Sequence, residues 1–189
     1  KTDKNLSSER KKEIKARVAR LRVQQEQTEE GIHQLLALLD QSDDRDFRGR
    51  VYTELGHAYL RGGELIKSKK MFDFALSENG QSEEAILGKA RVLKRLGHAS
   101  DAYDLYDYFL KYFGEFSNYT SDVKSSYLVQ LDESARAAYL RSDYNSAIIH
   151  YKRLIRTFPG SPRVEEALYQ IGESAYHLKQ YDSALSYYA

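Results

Sequence analysis

Five histidines, His33, His57, His98, His150 and His177, are the side chains best suited to acid–base or metal chemistry. No two of them have the H-E-x-x-H spacing that puts a pair of imidazoles on one helix face around zinc. Asp101, Asp104 and Asp107 recur every three residues and so line one flank of a helix. A solvated face accounts for them better than a cation site does. The phosphate-cradling, dinucleotide-binding and nucleophile-elbow patterns are missing. The absence of cysteine excludes thiol catalysis, disulfides and Cys-ligated zinc. Asn5-Leu6-Ser7 and Asn118-Tyr119-Thr120 match the glycosylation triplet, which arises often by chance. The chain is therefore read as non-enzymatic, with no catalytic residue, metal or cofactor.

Charge narrows the partners. The chain carries 29 Lys and Arg against 28 Asp and Glu, a net charge of +1, so no strong field draws it to nucleic acid or an anionic membrane. The basic stretch Arg10 to Arg22 has Glu9 and Glu13 in or beside it and no interleaved aromatics, so nucleic acid is not an expected partner. Only two prolines occur, which leaves nearly the whole chain free to be helical. The longest apolar stretch, Ile32 to Leu39, is interrupted by Gln34 and falls far short of the roughly 20 residues of a membrane span. No membrane insertion is expected. The chain opens at Lys1 without a methionine, so a longer natural chain is expected, and a signal peptide or lipid anchor upstream would not show here.

The elements that would position these side chains follow from internal repetition. With Gly49 in first place, Gly56, Ser68, Phe72 and Ala75 fall at positions 8, 20, 24 and 27. A step of 34 residues brings Ala90, Ala102, Tyr106 and Phe109 to the same places. A third unit fits Leu131, Ala135, Ala147, Tyr151, Leu154 and Pro159; a fourth fits Leu168, Ile171, Gly172, Ala184 and Tyr188. Small residues let paired helices approach closely, and an aromatic fills the wedge beside them. One hairpin cannot bury its apolar face alone, so neighbours must stack.

Helix pairs are expected at about 49–62 with 65–78, 83–96 with 99–113, 121–141 with 144–157, and 163–178 with 181 onward. Turn signals sit at Gly62-Gly63, Gly97 and Asn79-Gly80. Upstream, 9–26 and 29–40 read as two more helices, with Gly31, Leu35 and Leu38 in the 20, 24 and 27 slots, a turn at Gln24 to Thr28, and an acidic connector at Asp40 to Asp46. This pair is read as an atypical cap; the alternative is that Arg10 to Arg22 ends a longer helix from a further domain.

Leu55-Gly56-His57-Ala58-Tyr59 and the slots that recur after it resemble the tetratricopeptide repeat over residues 49–189. The pattern departs from the family at position 7, which is Lys89 and Ser134, and in the late tyrosines Tyr139 and Tyr176. The resemblance implies an all-α fold, a right-handed superhelical solenoid of antiparallel helix pairs. Its parts are a degenerate or capping pair at 1–48, units at 49–82 and 83–116, an insertion at 117–127 whose Ser121 and Asp122 could cap a lengthened helix, a unit at 128–164, and a truncated unit at 165–189. It further implies a concave face lined by positions 2, 5, 9 and 12 of each first helix. Those positions are Arg50, Thr53, His57 and Leu60; Glu84, Leu87, Arg91 and Lys94; Val129, Asp132, Arg136 and Tyr139; and Glu166, Tyr169, Glu173 and Tyr176. Of these, Arg50, His57, Arg91, Lys94, Asp132, Arg136, Tyr139, Tyr169, Glu173 and Tyr176 are the expected partner-binding residues. The Lys/Asn clamp by which some members hold a carboxylate tail is not present, because Thr53 and His57 stand in its places.

The stretch holding Tyr103, Tyr108, Tyr112 and Phe116 has more aromatics than one helix needs for stacking; packing within the molecule, some of it against the 117–127 insertion, is the expectation, and a second partner surface at these four residues is the alternative. The junction Phe158-Pro159-Gly160-Ser161-Pro162 leading into Ala167-Leu168-Tyr169 resembles bacterial envelope repeat proteins, the outer-membrane assembly lipoproteins and the Tol–Pal associated factor. There Ser161 can cap the next helix with Pro162 at its first position. The resemblance implies a protein-interaction scaffold of a bacterial cell-envelope assembly that binds protein or peptide segments and self-associates through its solenoid ends. The expected compartment is the periplasm or envelope, the alternative the cytoplasm. The rival reading is a regulatory or anchoring module of a larger protein whose enzymatic domain lies elsewhere.

Overall fold

Polar caps set where several helices begin. Ser7 accepts from Arg10 N, Asp44 from Asp46 N and Phe47 N, Ser82 from Ala85 N, and Asp143 from Ser146 N. The computed structural model describes residues 7–25 and 27–189. The described residues form ten helices and no strand. They are α1 (Ser8–Gln24), α2 (Thr28–Leu39), α3 (Arg45–Arg61), α4 (Leu65–Glu78), α5 (Glu83–Arg95), α6 (Ala99–Tyr112), α7 (Thr120–Leu140), α8 (Tyr144–Thr157), α9 (Val164–His177) and α10 (Tyr181–Tyr188). Asn5 and Leu6 of the first glycosylation triplet, residues 1–6 of the expected first pair and Glu26 of the expected turn lie outside the described residues.

The expected helices recur within about two residues, with one exception. Helix α3 starts at Arg45, a turn before Gly49, because Asp44 caps it and Phe47 is buried in its first turn. Asp46 therefore belongs to the helix rather than to the acidic connector, where its charge suits the N-terminal dipole. Two expected caps are not used. Helix α7 begins at Thr120 without a side-chain cap, so Ser121 does not cap it. Ser161 accepts from Arg163 N, and Pro162 lies in the turn before α9 rather than at its first position.

The chain divides into two compact units, Lys1–Glu115 and Phe116–Ala189. In the first, α1 and α2 pair and pack on α3 through Ala19, Leu35, Leu38, Phe47, Val51 and Leu55. Helices α3–α4 and α5–α6 form the next pairs, and α3 also touches α5. The junction of these three is the ring of Phe72 on α4, which is fully buried. A Cβ placed on Gly56 of α3 would stand 2.7 Å from that ring, and one on Gly88 of α5 only 2.3 Å. The two glycines thus admit an aromatic ring between helices that would otherwise be held apart by side chains. Ser68 Oγ, one turn before the ring, donates to the Gly56 carbonyl at 2.7 Å and closes the same contact.

In the second unit α7 pairs with α8, α8 touches α9, and α9 pairs with α10. Residues 120–127 of the expected insertion are the opening turns of α7. They bury Val123 and Tyr127, and Arg153 Nε donates to the Tyr127 hydroxyl at 2.9 Å. Ala135, Ala147, Tyr151 and Leu154 are buried in the slots the repeat gave them. The turns within the α3–α4, α5–α6, α7–α8 and α9–α10 pairs each use a left-handed residue: glycine supplies it at Gly63 and Gly97, but Ser142 (φ 61°) and Lys179 (φ 59°) carry side chains there.

Two outcomes follow. Gly88→Ala should lower stability by about 1–3 kcal/mol through overpacking, against the roughly 1 kcal/mol that alanine contributes at an open helix position. Denaturant unfolding of Gly88→Ala, Phe72→Leu and the double variant should show that the second change costs less once the first is made; strict additivity would mean the ring and the glycine do not meet. Ser142→Gly and Lys179→Gly should each raise stability by up to about 1 kcal/mol, the relief of left-handed strain exceeding the freedom glycine adds to the unfolded chain. Urea midpoints that fall in both variants would contradict this.

Candidate functional site

Because α3 and α5 are drawn together at Phe72, their outer sides form a cleft of about 350 Å³ lined by His57, Leu60, Arg61, Arg91 and Arg95. His57 and Arg91 share one repeat position, and Arg61 and Arg95 share another. The His57 ring meets Phe72 edge-on, with centroids 5.1 Å apart. Burial, and then the Arg91 guanidinium, hold its pKa below the ordinary imidazole value, which keeps the ring neutral near pH 7. Arg95 Nη1 donates to the Leu60 carbonyl at 3.1 Å, so its guanidinium is fixed at the end of α3. Beyond the cleft, Arg20 of α1 pairs with Glu54 at 3.1 Å, while burial raises the Glu54 pKa against that pairing.

The other expected residues of α3 and α5 separate from this cleft. Arg50 is bound to Glu13, has its guanidinium 5.8 Å from the Phe47 ring, and lines a smaller space of about 190 Å³ between α1 and α3. Lys94 is exposed outside both spaces. Thr53 was expected on the face but is buried, its hydroxyl donating to the Gly49 carbonyl at 2.9 Å within α3 itself. Leu60 is likewise buried and serves as the cleft's apolar floor. Arg61 and Arg95 were missed: they stand one place past the four face positions, although their shared register was readable in the sequence. An apolar cleft of about 360 Å³ lies apart from all of these, along α1 and α2 between Ile14, Val18, Ala37 and Leu38.

In the second unit Asp132 is only 6% exposed, bound by Arg163 at the start of α9 and by Arg136 Nε at 3.3 Å. It is therefore an internal anchor between α7 and α9 rather than an open contact residue. Arg136 remains more than half exposed beside it. Tyr139 meets Tyr144 and His177 edge-on at 5.5 and 5.9 Å, and Tyr144 stacks on His177 at 4.6 Å with ring planes 5° apart. Tyr176 extends this cluster to Tyr181 at 5.6 Å and is exposed. Tyr169 is exposed 5.9 Å from Tyr188. The Tyr188 hydroxyl donates to Glu173 at 2.5 Å, a bond that, with lost hydration, pushes the phenol up to about 12. Tyr144 and His177, absent from the expected set, are thus part of one aromatic surface with Tyr139 and Tyr176.

The aromatic stretch of α6 divides between core and surface. Tyr103 is 1% exposed and belongs to the core, where the helix period places it with Tyr106 and Phe109. Tyr108 and Tyr112 are exposed and lie 4.6 Å apart, with Lys111 Nζ 5.1 Å from the Tyr112 ring. Phe116 is 87% exposed but belongs to the other unit. Among the described residues no group of three or more His, Asp or Glu is placed to hold a metal ion, and no helix is long and apolar enough to cross a membrane.

Residues 166–189 match the family model for the tetratricopeptide repeat. Among solved structures, the chain is similar to the MamA protein at 15% identity, covering 94% of this chain and 87% of that one with a TM-score of 0.54. It is similar to BtubC from P. vanneervenii at 18% identity, covering 89% and 73% with a TM-score of 0.51. It is also similar to YrrB, a tetratricopeptide protein with an unusual peptide-binding site, at 14% identity, covering 89% and 78% with a TM-score of 0.52. No curated protein matches. The fold is the tetratricopeptide helical solenoid, and its last segment carries a repeat that the family model matches.

The roles of Asp132 and Arg136 separate in a stability measurement. Asp132→Ala should cost about 1–3 kcal/mol, because it strips a buried acceptor from two guanidinium groups. Arg136→Ala should cost less than about 1 kcal/mol, as exposed pairs do. Equal losses in thermal melts of the two variants would contradict the anchor role.

Proposed function

We propose that this chain is a protein-interaction scaffold that holds partner segments on the faces of its first-of-pair helices and has no reaction of its own. The observation that carries this is the α3–α5 cleft, where an apolar floor at Leu60 is ringed by His57 and three arginines. Arginine and tyrosine are the residue types that most often dominate binding energy, the first through bidentate hydrogen bonds and the second through large contact area at low entropy cost. The second unit presents its own face, with Arg136, Tyr139, Tyr169 and Tyr176 exposed or half-exposed on α7 and α9. The fold supports binding of protein or peptide segments, and the Pro159–Pro162 junction supports a place in a bacterial cell-envelope assembly.

Affinity capture from lysate of the source cells, using the whole chain, tests the scaffold reading. A partner captured by the wild type should be lost with Arg91→Ala or Tyr176→Ala, each first shown to be folded by circular dichroism. A hot-spot truncation costs at least about 2 kcal/mol, some thirtyfold in affinity. Undiminished capture by both variants would move the binding surface elsewhere.

A further inference from the structure

We infer that the cleft between α3 and α5 binds an acidic segment of a partner protein, in which two carboxylates set two residues apart are gripped by arginines of both helices. The inference rests on the scaffold reading and names the class of segment this cleft takes. Arg61 and Arg91 make no ion pair or side-chain hydrogen bond among the described residues, so their donors face the cleft unspent. Arg95 uses Nη1 on the Leu60 carbonyl, which fixes the fork without neutralising it. The charged groups around His57 are Arg20 of α1, Arg61 of α3, and Glu84 and Arg91 of α5. Glu54 is matched by Arg20. The cations of the cleft therefore outnumber its carboxylates, and a basic or purely apolar segment would leave them unmatched.

The spacing fits as well. Packed helices lie about 8–10 Å apart, and alternate side chains of an extended segment are about 7 Å apart on one side. Carboxylates at alternate positions thus reach one guanidinium on α3 and one on α5, each as a bidentate pair. His57 then changes role. Neutral in the free cleft, it gains a negative neighbour on binding, which favours its protonated form. Binding takes up a proton, so affinity rises as pH falls through the bound-state imidazole range and levels off once the free protein is also protonated.

The test uses the whole chain and a fluorescein-labelled octapeptide of alternating Glu and Ala, read by anisotropy beside its Gln counterpart. The expected result is binding of the Glu peptide, with the Gln peptide at least about tenfold weaker. Arg61→Gln and Arg91→Gln should each weaken it by about tenfold or more. Wild-type affinity should rise between about pH 7.5 and about pH 6, and His57→Gln should flatten that rise. Equal affinity for the two peptides, unchanged binding in Arg91→Gln, or no binding of the Glu peptide would each overturn the inference. Should the Glu peptide fail while capture of a cellular partner still depends on Arg91, the acidic class falls and the scaffold reading stands.

Discussion

The Phe72 ring fills the gap between Gly56 and Gly88, and neither glycine can carry even one carbon more without moving it. A close-packed interior does not absorb that volume elsewhere. The ring therefore fixes how far α3 and α5 stand apart, and through them the width of the cleft that His57, Arg61, Arg91 and Arg95 line. The same ring meets His57 edge-on and helps bury it, so the contact that sets the width also suppresses the histidine's charge. Packing and electrostatics are coupled here at one residue.

The second unit solves its helix spacing with charge. Asp132, nearly buried, bridges α7 to the start of α9 through Arg163 and keeps Arg136 beside the face. A buried acceptor of this kind is costly to orphan. Aromatic edges and faces complete the unit: Tyr144 lies flat on His177 while Tyr139 meets both edge-on, an arrangement that suits the ring quadrupoles.

Much of this was legible in the sequence because the period repeats. Phe72, Ala102, Ala147 and Tyr151 were placed in the core by position alone, and each is buried. Helix limits were legible where a cap or a glycine turn marked them. The limit was misjudged at α3, where Asp44 starts the helix a turn early; before α9 the limit held, but Ser161 and Pro162 form a turn instead of a cap. Face residues were harder. A helix position points along a direction, but depth depends on the neighbour: Thr53 and Leu60 share the face register with His57 and are still buried. Asp132 reads as a groove residue until Arg163, 31 positions later, is found closing on it. Gly88 lies outside the repeat's small-residue slots, so only the Phe72 ring reveals its purpose.

The central claim is that partners sit on the face of α3 and α5 and not on the outer side of α4. Site-directed photo-crosslinking tests it most directly, with a photoreactive side chain placed in the whole chain either at Lys94 on α5 or at Ile66, which is 71% exposed on α4. Irradiated with its captured partner, the protein should crosslink from position 94 and not from position 66. Crosslinking from 66 alone would contradict the account.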